Sequence, residues 1–152
     1  MLRMSKLADY GTVVLTYMAQ HSEGVHSAME IAGRVHVALP TVSKILKILA
    51  HEGIVTSSRG AKGGYVLARA AKEITMAQVI DAMEGPIALT ECSGTKGLCE
   101  QESSCSIRGN WRKINQVIRH ALQSVTLEDM TQPPAQTITL FASSSRQRRV
   151  FA

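Results

Sequence analysis

The sequence predicts a mainly α-helical chain with one small β-hairpin, and three observations carry that expectation. Apolar residues recur at helical spacing along several segments between residues 6 and 84. One glycine-rich run, Arg59-Gly60-Ala61-Lys62-Gly63-Gly64, separates two short β-type stretches. From Ser106 onward, apolar residues alternate at intervals of four and three, as on a long helix made for a partner. The 152 residues, 45% hydrophobic and 19% charged, suit one domain or a small domain with an appended helix. They exclude a disordered polyelectrolyte.

Residues 6–20 hold Leu7, Tyr10, Val13, Val14, Leu15, Tyr17 and Met18, apolar on most sides, and read as a buried first helix. Ser27 stands three residues before Glu30, a capping-box pattern that starts a second helix reaching about Val35. Pro40 suits the first turn of a third helix, where its missing N–H costs nothing. Val42, Ile45, Leu46 and Leu49 give that helix a core-facing stripe, with Thr41, Lys44, Lys47 and His51 on the other side. Gly53 fits the position that stops it. Residues 54–58 and 65–67 then form the hairpin, whose glycines tolerate the positive φ angles of its turn. Thr75 caps a further helix over 76–84, and Gly85-Pro86 ends it.

Three helices followed by a basic hairpin make a winged helix-turn-helix. Its third helix suits a DNA major groove, and its hairpin the flanking backbone or minor groove. The charge agrees. Lys and Arg number 17 against 12 Asp and Glu, a net charge of +5. Residues 40–72 alone carry Lys44, Lys47, Arg59, Lys62, Arg69 and Lys72 against the single acid Glu52, the footprint of a polyanion partner. Backbone contacts need cations and small donors, and base edges need side chains at the front of an inserted helix. Pro40, Thr41, Ser43, Lys44 and Lys47 on the helix, with Arg59 and Lys62 on the wing, are therefore the candidate DNA-binding residues of a reading head spanning residues 1–84.

Residues 85–105 form a loop that contains every cysteine of the chain, Cys92, Cys99 and Cys105, in the pattern C-x6-C-x5-C. Thiolates are soft ligands suited to zinc, copper(I) or an iron–sulphur cluster. The spacing departs from that of zinc knuckles and of ferredoxins, so by itself it leaves the metal open, with thiol redox sensing as the other reading. Residues 106–130 are expected to form one long helix. Along it Ile107, Trp111, Ile114, Ile118, Ala121 and Val125 build a heptad stripe for pairing two chains. Such a dimer sets two reading heads on a palindromic double-stranded operator. Residues 131–152, with Gln132-Pro133-Pro134, a serine run and Arg146-Gln147-Arg148-Arg149, read as a disordered tail.

Several of these residues resemble a known family. The run Arg3-Met4-Ser5-Lys6 with Tyr10, the wing Arg59-Gly60-x-x-Gly63-Gly64-Tyr65, and the three-cysteine loop followed by Trp111 are similar to the IscR/NsrR family. Its members are bacterial winged-helix transcriptional regulators that bind iron–sulphur clusters. Pro40-Thr41-Val42-Ser43-Lys44, Leu89-Thr90-Glu91-Cys92-Ser93 and Trp111-x-x-Ile114-Asn115 resemble the branch that regulates the SUF cluster-assembly system. The resemblance runs from about residue 2 to residue 130. It implies a homodimer and a 2Fe–2S or 4Fe–4S cluster held by Cys92, Cys99 and Cys105. It also implies a minor-groove role for Arg59 and base reading by Thr41, Ser43 and Lys44. One position departs: the family's cluster-assembly regulators have a ligating histidine three residues after the last cysteine, where this chain has Arg108, which cannot ligate iron. The nitric-oxide-sensing branch uses an aspartate of the partner's first helix instead, which makes Asp9 the candidate fourth ligand, with Glu91, Glu100 and His120 as alternatives.

The expected function is that of a sequence-specific DNA-binding regulator, a repressor, that senses iron–sulphur status, oxidants or nitric oxide and controls cluster-assembly genes. A zinc or thiol-switch regulator and a cluster carrier without DNA binding are the alternatives. No nucleophile–base constellation, P-loop or dinucleotide fingerprint is present in the sequence, so an enzyme is not expected. The N-terminal residues lack the apolar run of a secretory signal, and no stretch reaches the roughly 20 apolar residues of a membrane span. A cytoplasmic protein is expected.

Overall fold

The computed structural model describes residues 4–60, 63–94, 97, 99–101 and 103–133, and of Cys92 the backbone only. Lys62 and the tail beyond residue 133 lie outside the described residues. Helix α1 (Lys6–Gln20) starts at Ser5, whose hydroxyl accepts the Ala8 N–H. Its buried side, Ala8, Gly11, Thr12, Val14, Leu15 and Met18, runs the length of the helix, while Val13 is exposed. Helix α2 (Ala28–Val35) is capped by Ser27, which accepts the Glu30 N–H.

Helix α3 (Leu39–His51) follows with Pro40 in its first turn. Val42, Ile45, Leu46 and Leu49 are wholly buried, as their spacing predicts. The helix stops where glycine permits. Gly53 adopts φ +70°, its N–H donates to Ala50 O, and the Ile54 N–H donates to Leu49 O at 2.9 Å.

Strands β1 (Val55–Ser58) and β2 (Gly64–Leu67) pair antiparallel, with Val55 opposite Leu67 and Ser58 opposite Gly64. A third rung comes from the α1–α2 connection: His26 N–H donates to Tyr65 O at 3.0 Å and Tyr65 N–H to His26 O at 2.8 Å. Gly64 makes that rung possible. A Cβ there would stand 2.6 Å from the His26 carbonyl oxygen.

Helix α4 (Met76–Glu84) carries a reciprocal capping box between Thr75 and Gln78, and Gly85 ends it. It sends Met76, Ala77 and Val79 into the same core as α1 and α3. Its Met83 lies against Gly11, where a Cβ on α1 would meet the Met83 sulphur at 3.2 Å.

The second half departs from the single helix that the heptad spacing predicts over 106–130. Helix α5 spans Arg108–Gln123, with Ile107 at its N-cap, and a separate helix α6 spans Leu127–Thr131. Two local forces break the run. Thr126 closes a capping box with Asp129, accepting the Asp129 N–H while the Asp129 carboxylate accepts the Thr126 N–H and hydroxyl; these bonds hold that carboxyl below its ordinary pKa. The intervening chain pairs with the entry to α4, with Met76 N–H donating to Val125 O and Leu127 N–H to Ile74 O, both at 2.8 Å. Leu127 is thereby fully buried in the head's core. Val125, the last heptad position, lies beyond α5 and packs on that core, and Thr131, expected in the tail, ends α6. Among the described residues no helix is long and apolar enough to cross a membrane.

Candidate nucleic-acid interface and cysteine loop

On α3 the buried stripe forces the remaining side chains outward. Lys44 and Lys47 are exposed, Pro40 is exposed on the first turn, and Thr41 and Ser43 are half-buried beside them. No side chain caps the start of α3, so hydroxyls and cations gather at a helix end that presents backbone amides. Arg59 is exposed immediately after β1. The wing turn begins at Gly60 (φ +112°), whose carbonyl accepts the Gly63 N–H at 2.9 Å. The arrangement offers a polyanion one helix edge and one hairpin tip.

The root of the wing is a polar cluster that residue spacing did not reveal. His26 is only 7% exposed. Its Nδ1 lies 3.0 Å from Glu30 Oε1 and its Nε2 2.7 Å from the His21 carbonyl oxygen. Tyr17 donates its hydroxyl to the same Glu30 oxygen at 3.1 Å and stacks on the His21 ring. The His26 ring beside Glu30, and then the Tyr17 hydroxyl, hold this carboxyl below the usual glutamate range despite partial desolvation. Glu30 thus turns from the cap that its spacing from Ser27 predicts toward a tie between α1, α2 and the wing. The sequence signal was available, since His26 and Glu30 stand at i, i+4 across a helix start.

The cysteine loop is anchored at its first arm. Cys92 sits in a 3₁₀ turn, Glu91–Ser93, closed by hydrogen bonds between Ser93 and Thr90. Asn115 of α5 is buried and accepts the Leu89 N–H at 3.2 Å while donating to Ile87 O at 3.0 Å. Arg119 donates to both carboxylate oxygens of Asp81 on α4, at 2.7 and 3.2 Å, and Asp81 also accepts the Ile87 N–H. Neither Asn115 nor Asp81 was singled out for a role by charge or periodicity. A lone amide on an otherwise apolar helix flank was the signal available.

At the other end, Cys105 stands three residues before α5, and its carbonyl accepts the Arg108 N–H. Cys99 and Cys105 are half-buried free thiols. Three soft sulphur donors on one loop fit a thiolate-held cluster that takes its remaining ligand from elsewhere. Among the described residues no three His, Cys, Asp or Glu side chains already converge as a metal site. Asp9 is exposed in the first turn of α1. It faces a cleft shared with Arg34, Val35 and Met130, and no described residue of the cysteine loop lines that cleft.

Of the candidate pairing residues, Ile107 and Ile114 are 53% and 45% exposed, joined by Val117 at 57%, which the heptad spacing misses. Trp111 and Ile118 are half-buried, and Ile118 lines a cleft against Ile80, Ile87 and Leu89 of its own chain. The heptad stripe thus divides between an intrachain face and an exposed one.

Comparisons with known proteins agree with this architecture. The family model Rrf2, described as an iron-dependent transcriptional regulator, matches residues 4–133. The HTH-type transcriptional regulator IscR of Photorhabdus laumondii is 31% identical over 130 residues, covering 85% of this chain and 79% of that protein. Protein rrf2 of Nitratidesulfovibrio vulgaris is 31% identical over the same length, covering 87% of its own chain. Among solved structures, CymR, the global cysteine regulator of B. subtilis, superposes with a TM-score of 0.67 at 32% identity, covering 86% of this chain and 97% of that one. The IscR of T. potens gives 0.63 at 32% identity, covering 85% of each chain.

Proposed function

The chain belongs to the Rrf2 family of transcriptional regulators, and from that premise we propose that it is a homodimeric repressor whose DNA affinity is set by an iron–sulphur cluster on its cysteine loop. The observation that carries the proposal is the concentration of all three cysteines in one loop hydrogen-bonded to α5 and α4. Cys92, Cys99 and Cys105 supply three thiolate ligands. Asp9 of a second chain is the candidate fourth, by the likeness to the nitric-oxide-sensing branch; on its own chain it faces a cleft that no described residue of the cysteine loop lines. A bound 2Fe–2S or 4Fe–4S cluster supplies iron whose oxidation, nitrosylation or loss changes the charge and bonding of the loop.

The remaining roles belong to the chain's own residues. Ile107, Ile114 and Val117, the exposed apolar residues at and along α5, pair two copies, which places two reading heads on a palindromic operator. Thr41, Ser43 and Lys44 read bases, Pro40 sets the front of α3, Lys47 and Lys62 bind phosphates, and Arg59 enters the minor groove. The genes controlled are those of iron–sulphur cluster assembly, by the likeness of the Leu89–Ser93 and Pro40–Lys44 stretches to the regulators of that system.

A second reading is favoured by the likeness to a global cysteine regulator: the same loop acting as a thiol switch without metal. Purification without air, with visible absorption and iron and acid-labile sulphide per chain, separates the two. A brown protein with matched iron and sulphide supports the cluster. A colourless protein that reconstitution cannot colour, yet binds DNA, overturns it in favour of a zinc or thiol-switch regulator.

A further inference from the structure

We propose that Asn115 and Asp81 are the positioning residues that couple the Cys92 turn to the DNA-reading helices. The inference rests on the reading of the cysteine loop as the sensing element, and adds which side chains carry its state onward.

Asn115 is the buried residue of α5, while the apolar side chains of that helix stay half-buried or exposed. Burying an amide is costly unless its donors and acceptor are met. Asn115 meets them on the segment that carries Cys92. Its Oδ1 accepts the Leu89 N–H, and its Nδ2 donates to Ile87 O and lies 3.5 Å from Ser93 O, the residue after Cys92. Ile87 is gripped from its other side by Asp81, whose Oδ1 accepts its N–H at 3.0 Å. Arg119, one turn beyond Asn115, closes the ring by pairing with both oxygens of Asp81. Three elements, α5, the loop and α4, are joined by side chains that each hold two of them.

The path from Asp81 to DNA is short. Met76, Ala77 and Val79 on α4 are buried, and Met76 and Val79 belong to the cluster that holds Val42, Ile45, Leu46 and Leu49 of α3. Close-packed interiors move as units, so a displacement of α4 is felt by α3. At the other end, the Cys92 backbone lies inside a turn closed by Thr90 and Ser93. A change in that turn either carries Asn115 with it or breaks its bonds. Coupling of this kind requires that the two states of the turn bond Asn115 differently.

The test uses Asn115→Leu, which keeps the branched heavy-atom shape and removes the amide, and Asp81→Asn, which breaks the ion pair at a half-buried site. Two quantities are read: the iodoacetamide alkylation rate of Cys92 relative to Cys105 in cluster-free protein, and the ratio of DNA dissociation constants between loaded and cluster-free protein. In both variants Cys92 reacts several-fold faster with Cys105 unchanged. The cluster-free DNA affinity stays within about twofold of the parent, and the loaded-to-free ratio falls from the roughly 5–150-fold of ordinary allosteric couplings to about one. Parent alkylation rates or a parent ratio in the variants overturn the proposal. A parent protein that itself binds DNA equally in both forms overturns the sensing reading and this coupling together, whereas a parent that responds while its variants respond equally overturns this coupling alone. Should Asn115→Leu fail to fold, Asp81→Asn decides.

Discussion

The helical head and the cysteine-bearing half of this chain are held together by different physics. In the head, α1, α2, α3, the hairpin and α4 close around wholly buried aliphatic side chains such as Leu15, Ile31, Ile45, Leu46 and Ile74. In the cysteine-bearing half, α5 buries one residue, and that residue is polar. Its order comes from Asn115, the Arg119–Asp81 pair and the Thr90–Ser93 turn, together with a short helix that lends Leu127 to the core of the head. An apolar core is non-directional and tolerates no partial opening, whereas a few directional bonds can be exchanged for others at small net cost. A rigid head joined to a polar, rearrangeable cysteine-bearing half follows from that division.

The division is broken or sharpened by four substitutions, beginning with the largest effect. Leu46→Ala removes a fully buried side chain from α3 and lowers unfolding free energy by about 2–5 kcal/mol in urea titration. Ile114→Ala on the exposed side of α5 changes monomer stability by only about 0.5 kcal/mol, but weakens self-association in sedimentation equilibrium. Equal stability losses at the two sites contradict the comparison. Gly53→Ala forces an alanine into the left-handed region at φ +70° and costs about 1–2 kcal/mol, read as a drop in the thermal midpoint. Lys47→Ala, at an exposed position, leaves stability unchanged and reduces the slope of log affinity against log salt by about one in anisotropy titrations.

A further effect is a pH dependence at the root of the wing. Because the Glu30 carboxyl is held low by His26 and Tyr17, the fold favours its ionised form. Its contribution is complete above the ordinary glutamate value of 4.5 and is lost as pH falls through the lowered one. Glu30→Gln therefore makes the acid limb of the stability curve shallower, within the roughly 1 kcal/mol of solvent-exposed pairs, when urea midpoints are compared at neutral and acid pH.

The same division explains what could be read in advance. The stripe from Val42 to Leu49, the Gly53 stop and the Gly60–Gly63 turn each follow from side-chain period or backbone freedom, local properties that a sequence displays directly. The heptad from Ile107 to Val125 showed real periodicity, yet it was overruled at Thr126. There a capping box and a paired backbone rung outweighed one more helical turn. The roles of Asn115 and Asp81 rest on contacts between elements far apart in the chain, Asn115 to Leu89 and Arg119 to Asp81, 26 and 38 residues apart, whereas the His26–Glu30 pair is local and only its tie to Tyr65 on the wing required the fold. The cysteines announce soft-ligand chemistry through their residue type, while the cleft that Asp9 faces, shared with Arg34, Val35 and Met130, required the fold.

The central claim is that the state of the cysteine loop sets how tightly the head holds DNA. It is tested most directly by titrating one operator duplex, under anaerobic conditions and at fixed salt, with the loaded protein and with the same protein stripped of iron. The account predicts two separated anisotropy curves whose dissociation constants differ by about fivefold or more. Superimposed curves would contradict it.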